Sequence, residues 1–189
     1  MKQLKFRLEG LGSLLMHSDR FANPLDEDAI EHKKLTSKRN KTVENLHEIA
    51  KSEWLGSLYY NDDLGIHIPT ANLRKNLIEG ARKFKLGKHV EGGVFFNSQG
   101  FPLEYEGSKK PETLYRNKEF VDCRSVVVGR AKLMRYRPIF KHWALSGTLE
   151  YEETVIDEEQ IKQSFEKAGQ VVGLGDYRPL FGRYSVSFD

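Results

Sequence analysis

Near the end of the chain, the stretch GLGDYRPLFGR (173–183) gathers residue types that handle phosphate. Three glycines, Gly173, Gly175 and Gly182, surround Arg178 and the aromatic pair Tyr177 and Phe181, and Arg183 follows the last of them. Glycine lets a backbone turn sharply and approach a ligand closely, which leaves amide N–H groups to bond phosphate oxygens. The dinucleotide-binding fingerprint needs a strand before its glycines and a helix after them; here the order is reversed, which excludes that reading. A plain helix-to-strand turn is the other way to use the same glycines.

Other chemistries find little support. The six histidines, at 17, 32, 47, 67, 89 and 142, show no HExxH spacing, and one cysteine, Cys123, builds no CxxC zinc site. There is no GxSxG elbow and no Walker glycine-lysine loop. The expectation is no metal and no cofactor.

The positive charge has a pattern that the net value of +3 conceals. Windows 33–41, 72–88 and 122–142 hold more than half of the 30 Lys and Arg but only two of the 27 acids, Glu79 and Asp122. Acids collect instead at 26–31 and 150–159, so separate basic and acidic surfaces are expected. The basic windows contribute the candidate phosphate contacts Lys38, Arg39, Arg74, Lys75, Arg82, Lys83, Arg130, Lys132, Arg135 and Arg137, each of which can equally be a solvated surface charge. Tyr136, with Trp143, Tyr151 and Tyr184, can stack bases from a sheet face or pack beneath an insertion.

Elements must position these groups. LKFRLEG (4–10) alternates as a half-buried strand. Residues 19–41 read as a polar loop, followed by a helix capped by Thr42 and running to about Trp54. NDD (61–63) joins two short strands as a hairpin. Residues 68–84 read as an amphipathic basic helix capped by Thr70 or Asn72, with Leu73, Leu77, Ala81 and Phe84 inward. Residues 87–120 read as irregular, with one strand at GVFF. Strands at 125–137 and 143–153 form a hairpin whose turn holds Pro138. A helix over 157–169 has Asp157 as cap, Gln160 completing a capping box and Gly169 as stop; RYSVSFD (183–189) is a last strand. Without its insertions the order is βαββαβ. That predicts an α+β, ferredoxin-like (RRM-like) antiparallel sheet with helices on one face, as a single domain over 1–189 with insertions at 19–68 and 87–122. Two separate α+β lobes divided near residue 90 are the rival arrangement.

The strand leading into GLGSLLMHS (10–18), the segment IPTANLRKNLIEGARK (68–83) and the late GLGDYRPLFGRYSV (173–186) together resemble the RAMP superfamily. Its members are RNA-binding proteins with a fold like that of the RNA-recognition motif, and they include CRISPR backbone subunits and guide-processing endoribonucleases. The resemblance implies contacts to a nucleic-acid backbone. It also singles out His17, after the first strand, as the weak catalytic candidate: a general base for attack of a 2′-hydroxyl, with Arg178 or Arg183 stabilising charge. The whole chain also resembles small proteins of tailed phages and prophages.

The leading expectation is a non-catalytic protein that binds single-stranded RNA or DNA. The alternatives are a metal-independent endoribonuclease using His17 and a phage-encoded interaction or inhibitor protein. No membrane partner is expected. One cysteine and no visible secretory signal point to the cytoplasm, or the host cytoplasm for a phage protein. The pentapeptides YRPIF (136–140) and YRPLF (177–181) are expected just ahead of strands at opposite ends of one sheet. Such a placement would let neighbouring subunits in a head-to-tail row, as a homo-oligomer along the strand, flank one track with Arg137 and Arg178.

Overall fold

A computed structural model describes residues 1–189, the side chain of Val128 excepted. In chain order the elements are β1 (Lys2–Gly10), β2 (Leu14–Leu15), α1 (Glu27–Thr36), α2 (Val43–Ser57), β3 (Tyr60–Asn61), β4 (Gly65–Pro69), α3 (Thr70–Ala81), α4 (Gly87–Gly93), β5 (Val94–Phe95), β6 (Gly100–Pro102), α5 (Pro111–Arg116), β7 (Val121–Val128), β8 (Ala131–Phe140), β9 (Ala144–Tyr151), α6 (Glu158–Val171) and β10 (Tyr184–Phe188). The class is α+β, with three small sheets of antiparallel pairs. The chain gathers into two compact units: Met1–Leu14 with Tyr60–Glu106 and Lys141–Asp189, and Leu15–Tyr59 with Gly107–Phe140.

The first unit is built on a four-stranded sheet in the order β10-β1-β9-β5. Alternation along β1 decides its two faces. Leu4, Phe6 and Leu8 are buried, opposite Leu149, Gly147 and Leu145 of β9, while Gln3, Lys5 and Glu9 are exposed and Arg7 half-buried. Phe6 meets Phe165 of α6 at 5.1 Å between ring centroids and Phe101 of β6 at 5.6 Å. Helix α6 begins at its capping box: the Asp157 carboxylate accepts from the Gln160 backbone N–H at 2.8 Å, and the Gln160 side chain accepts in return from the Asp157 N–H. Ile161, Phe165 and Ala168 are then buried, and burying a residue of the size of Phe contributes about 1.5–3 kcal/mol. α6 packs on α3, whose Leu73, Leu77 and Ala81 are fully buried.

In the second unit Thr42 caps α2, accepting from the Asn45 N–H. Trp54, fully buried, donates its indole N–H to the Phe120 carbonyl at 2.8 Å. β7 and β8 pair antiparallel, with Val128 opposite Ala131 and Cys123 opposite Tyr136. Only Gly129 and Arg130 lie between them, and Gly129 takes φ +63°, the left-handed first position that a tight hairpin turn requires.

Several expectations are corrected. Residues 27–36 are helical rather than loop, because Asp26 caps α1 by accepting from the N–H groups of Asp28 and Ala29. Neither Thr70 nor Asn72 caps α3; Pro69 sits at that position, and Thr70 hydroxyl donates to the Ser98 carbonyl instead. Phe84, beyond the helix in a 3-10 turn, is 43% exposed rather than inward. Residues 87–120 hold α4, β5, β6 and α5. The anticipated 125–137 strand is cut at Gly129, and its partner is β7, not β9, which pairs with β1 and β5. Pro138 lies inside β8 rather than in a turn. Gly169 does not stop α6. It is buried where a Cβ would come within 2.3 Å of the Tyr184 carbonyl oxygen; the helix runs on to Val171 with Val172 as its C-cap, and Gly173 follows at φ +76°. The β7–β8 hairpin falls in the second unit, and residues 60–68 and 87–106 fall in the first.

Candidate functional site

The first unit brings the basic end of α3 to the Gly-rich loop. Glu79, Arg82, Lys83, Val171, Val172, Gly175, Asp176, Tyr177, Arg178 and Pro179 line a cleft of about 650 Å³. Helical spacing explains one wall: Lys75, Glu79 and Lys83 follow each other at four-residue steps, with Arg82 beside Lys83, so all four share a stripe of the α3 surface and its continuation. Arg82 and Lys83 are exposed there. Arg74 is turned elsewhere and donates to the Glu91 carbonyl at 2.6 Å. The apolar part of the lining comes from Val171, Val172 and Pro179, and Tyr177 is 43% exposed.

The opposite wall is a pinned loop. Leu174 N–H donates to the Gly182 carbonyl and Gly182 N–H donates to the Ser13 carbonyl, both at 2.8 Å. Gly182 has φ +74°, and a Cβ there would lie 1.8 Å from the Leu174 carbonyl oxygen, so no other residue fits. Asn76, fully buried on α3, ties the parts together: its amide donates to the Gly173 carbonyl at 2.7 Å and its oxygen accepts from the Tyr184 hydroxyl at 2.6 Å. Burial pushes the Tyr184 phenol well above its ordinary range, so it remains a donor. Tyr177, at φ +56°, is a bulky residue in the left-handed region, a conformation that costs on the order of 1–3 kcal/mol and directly precedes Arg178. Arg178 reaches across to Glu79, with Nη1 3.3 Å from Oε2; both side chains are about one-third exposed.

The glycine amides do not serve as first expected. Gly173 N–H donates to the Ala168 carbonyl at 2.9 Å and Gly182 N–H to Ser13, so both are consumed inside the fold. Of the three glycines, Gly175 alone lines the cleft. Arg183 is exposed beside the loop, and its carbonyl accepts from Leu11 N–H at 2.8 Å. Nor does the sheet carry the stacking aromatics: Trp143, Tyr151 and Tyr184 are 5%, 1% and 1% exposed. Trp143 donates to the Gly12 carbonyl and Tyr151 to Glu158.

The remaining candidates belong to the second unit. Lys38 and Arg39 are exposed between α1 and α2. Arg130 and Lys132 are exposed at the end of the β7–β8 hairpin, near the apolar and exposed Val127, Leu133 and Met134. Arg135 is committed to a buried partner: Nη1 lies 2.6 Å from Oε1 of Glu53, which is 5% exposed and whose other oxygen accepts from Tyr136 N–H at 3.1 Å. Arg137 is only 8% exposed, which removes it from any surface track. Tyr136 is half-buried opposite Cys123; the hydrogen bond to that thiol, with burial, raises its phenol pKa. Since YRPIF ends β8 in this unit while YRPLF is a loop of the other, the two are not entries to opposite ends of one sheet, and the paired-arginine track loses its premise.

His17 is exposed in the second unit, its Nδ1 3.4 Å from the Ser57 hydroxyl, whereas Arg178 and Arg183 belong to the first. The acids of 150–159 have local uses: Glu150 accepts from Gln3, Glu153 pairs with Lys2, Asp157 caps α6 and Glu158 pairs with Lys162. Among the described residues no helix is long and apolar enough to cross a membrane. Among them, too, no three His, Cys, Asp or Glu side chains gather as metal ligands.

Sequence signals for the cleft were partial. Arg82, Lys83, Tyr177 and Arg178 stand out by type, but Glu79, Val171 and Val172 carry no local mark of a site. The chain matches no protein-family model and no curated protein.

Proposed function

We propose that this protein binds single-stranded nucleic acid, RNA or DNA, without cleaving it, and that the cleft between α3 and the Gly-rich loop holds the backbone. One observation carries the reading: three cations, Arg82, Lys83 and Arg178, converge with the partly exposed Tyr177 on one concave surface. Cations meet phosphates while an aromatic ring offers a base a stacking surface, a combination that tolerates any sequence. The exposed Arg130 and Lys132 on the hairpin and Lys38 and Arg39 add basic surface in the second unit.

Support for a ferredoxin-like, RAMP-like arrangement comes from the strand order β10-β1-β9-β5, in which β1, β5, β9 and β10 are the sheet strands in chain order. Helix α3 follows β1, α6 lies between β9 and β10, and the two helices pack on each other. Stacking on the open sheet face, the mode of many RNA-recognition motifs, has less support here, because that face is mainly polar, with Lys5, Arg7, Ser146, Thr148, Ser185 and Ser187, and its exposed aromatic, Phe95 of β5, lies at the sheet edge opposite Glu150.

The test is fluorescence anisotropy of labelled single-stranded RNA, single-stranded DNA and duplex DNA at two salt concentrations, followed by a denaturing gel. Three phosphate contacts give a log–log salt slope of about −2, so affinity for single strands falls roughly twentyfold from about 50 to 200 mM salt. Replacing Arg82 and Lys83 together with Ala flattens the slope to about −0.7. An unchanged slope removes the cleft from the proposal, and shortened RNA on the gel replaces it with an endoribonuclease.

A further inference from the structure

We infer that Glu79 is a resident anion that occupies Arg178 until a ligand phosphate replaces it, so that occupancy of the cleft is set by exchange of one anion for another. This inference rests on the nucleic-acid reading above. Three cations and two carboxylates line the cleft, and Glu79 spans it, its Oε2 3.3 Å from Arg178 Nη1 across 99 residues of sequence. Glu79 sits on the same helical stripe as Lys75 and Lys83, which lie one turn to either side of it. A carboxylate there presents two acceptor oxygens to the guanidinium, the same chemistry a phosphate oxygen pair would present.

The pair is poised for exchange by its exposure and its anchoring. Both side chains are about one-third exposed, so their attraction is screened and contributes little; a phosphate carrying full charge competes on favourable terms. Both ends are nonetheless held in place: Glu79 by the helix, and Arg178 by a loop fastened to Asn76 and Ser13 and by the left-handed backbone of Tyr177. The backbone of Arg178 is therefore held at the cleft that its side chain lines, so a guanidinium released by Glu79 remains within reach of a ligand there.

The test uses the full chain and a labelled single-stranded oligonucleotide of about 12 nucleotides, a length within one domain's reach. Glu79→Gln should tighten binding about two- to fivefold, the range that an exposed ion pair of this kind accounts for. In an Arg178→Ala background the same substitution should give no gain. An equal gain in both backgrounds overturns the inference, since it marks only a general change in net charge. An unchanged or weakened affinity of Glu79→Gln, with Arg82→Ala/Lys83→Ala still weakening binding, also overturns it while leaving the nucleic-acid reading in place. Failure of that double variant and of Arg178→Ala to weaken binding overturns the reading itself.

Discussion

Replacing Glu53 with Ala separates a structural arginine from a ligand-binding one. The Glu53 carboxylate is 5% exposed and accepts two hydrogen bonds, from Arg135 at 2.6 Å and from the Tyr136 backbone N–H at 3.1 Å. Removal of one partner of a buried ion pair costs about 3–5 kcal/mol. Arg135 keeps roughly a third of its side-chain surface in water, which reduces the penalty for its stranded charge and places the expectation near the low end, about 3 kcal/mol. For a chain of this size that is a fall in Tm of roughly 6–12 °C. The assay is thermal and urea denaturation of the wild type, Glu53→Ala, Arg135→Met and the double variant Glu53→Leu/Arg135→Met. The double variant should recover much of the loss, because an apolar pair of similar volume replaces a buried ion pair at little cost. A loss below about 1 kcal/mol for Glu53→Ala, or a double variant as unstable as the sum of the singles, refutes the assignment of Arg135 to the fold and returns it to the list of available cations.

Asn76→Ala should cost about 2–4 kcal/mol in urea denaturation, because it strands the Gly173 carbonyl and the buried Tyr184 hydroxyl; a loss below about 1 kcal/mol would show that the two groups find other partners. Burial lowers the pKa of His32, which stacks on Phe21 at 4.4 Å; the Glu53 carboxylate opposes that shift and Arg135 adds to it. The folded state therefore holds this proton less tightly than the unfolded chain, so the neutral ring's contribution is complete above the unfolded value near 6.5 and is lost as pH falls through the lower folded value. Between about pH 7.5 and 5 the wild type should lose more Tm than His32→Gln does, and parallel profiles would exclude His32 as the cause.

Local physics made part of this legible. The capping residues Thr42 and Asp157 act on N–H groups three residues away, so α2 and α6 could be read in sequence almost to their first residue. Alternation in β1 needs only a period of two. α1 escaped notice because none of its residues is buried and its composition is that of a loop; its cap at Asp26 is the signal that was there to find. The 125–137 stretch reads as one apolar and basic strand because Gly129 is a single residue, and only pairing shows that it turns the chain back on itself. Charges were the least legible, since an arginine in a basic window looks alike whether it meets water or a buried carboxylate 82 residues away, as Arg135 does.

The sequence by itself determined the cations and the aromatic ring of the cleft, the helices that start at local caps and the alternating strand that founds the sheet, because each depends on residue type or on spacing of a few positions. Tertiary structure alone decided which strands pair, that Arg137 is buried, that the amides of Gly173 and Gly182 are already bonded, and that Glu79 meets Arg178. Those outcomes depend on contacts between residues far apart in the chain, and no local pattern encodes which distant partner a side chain will reach.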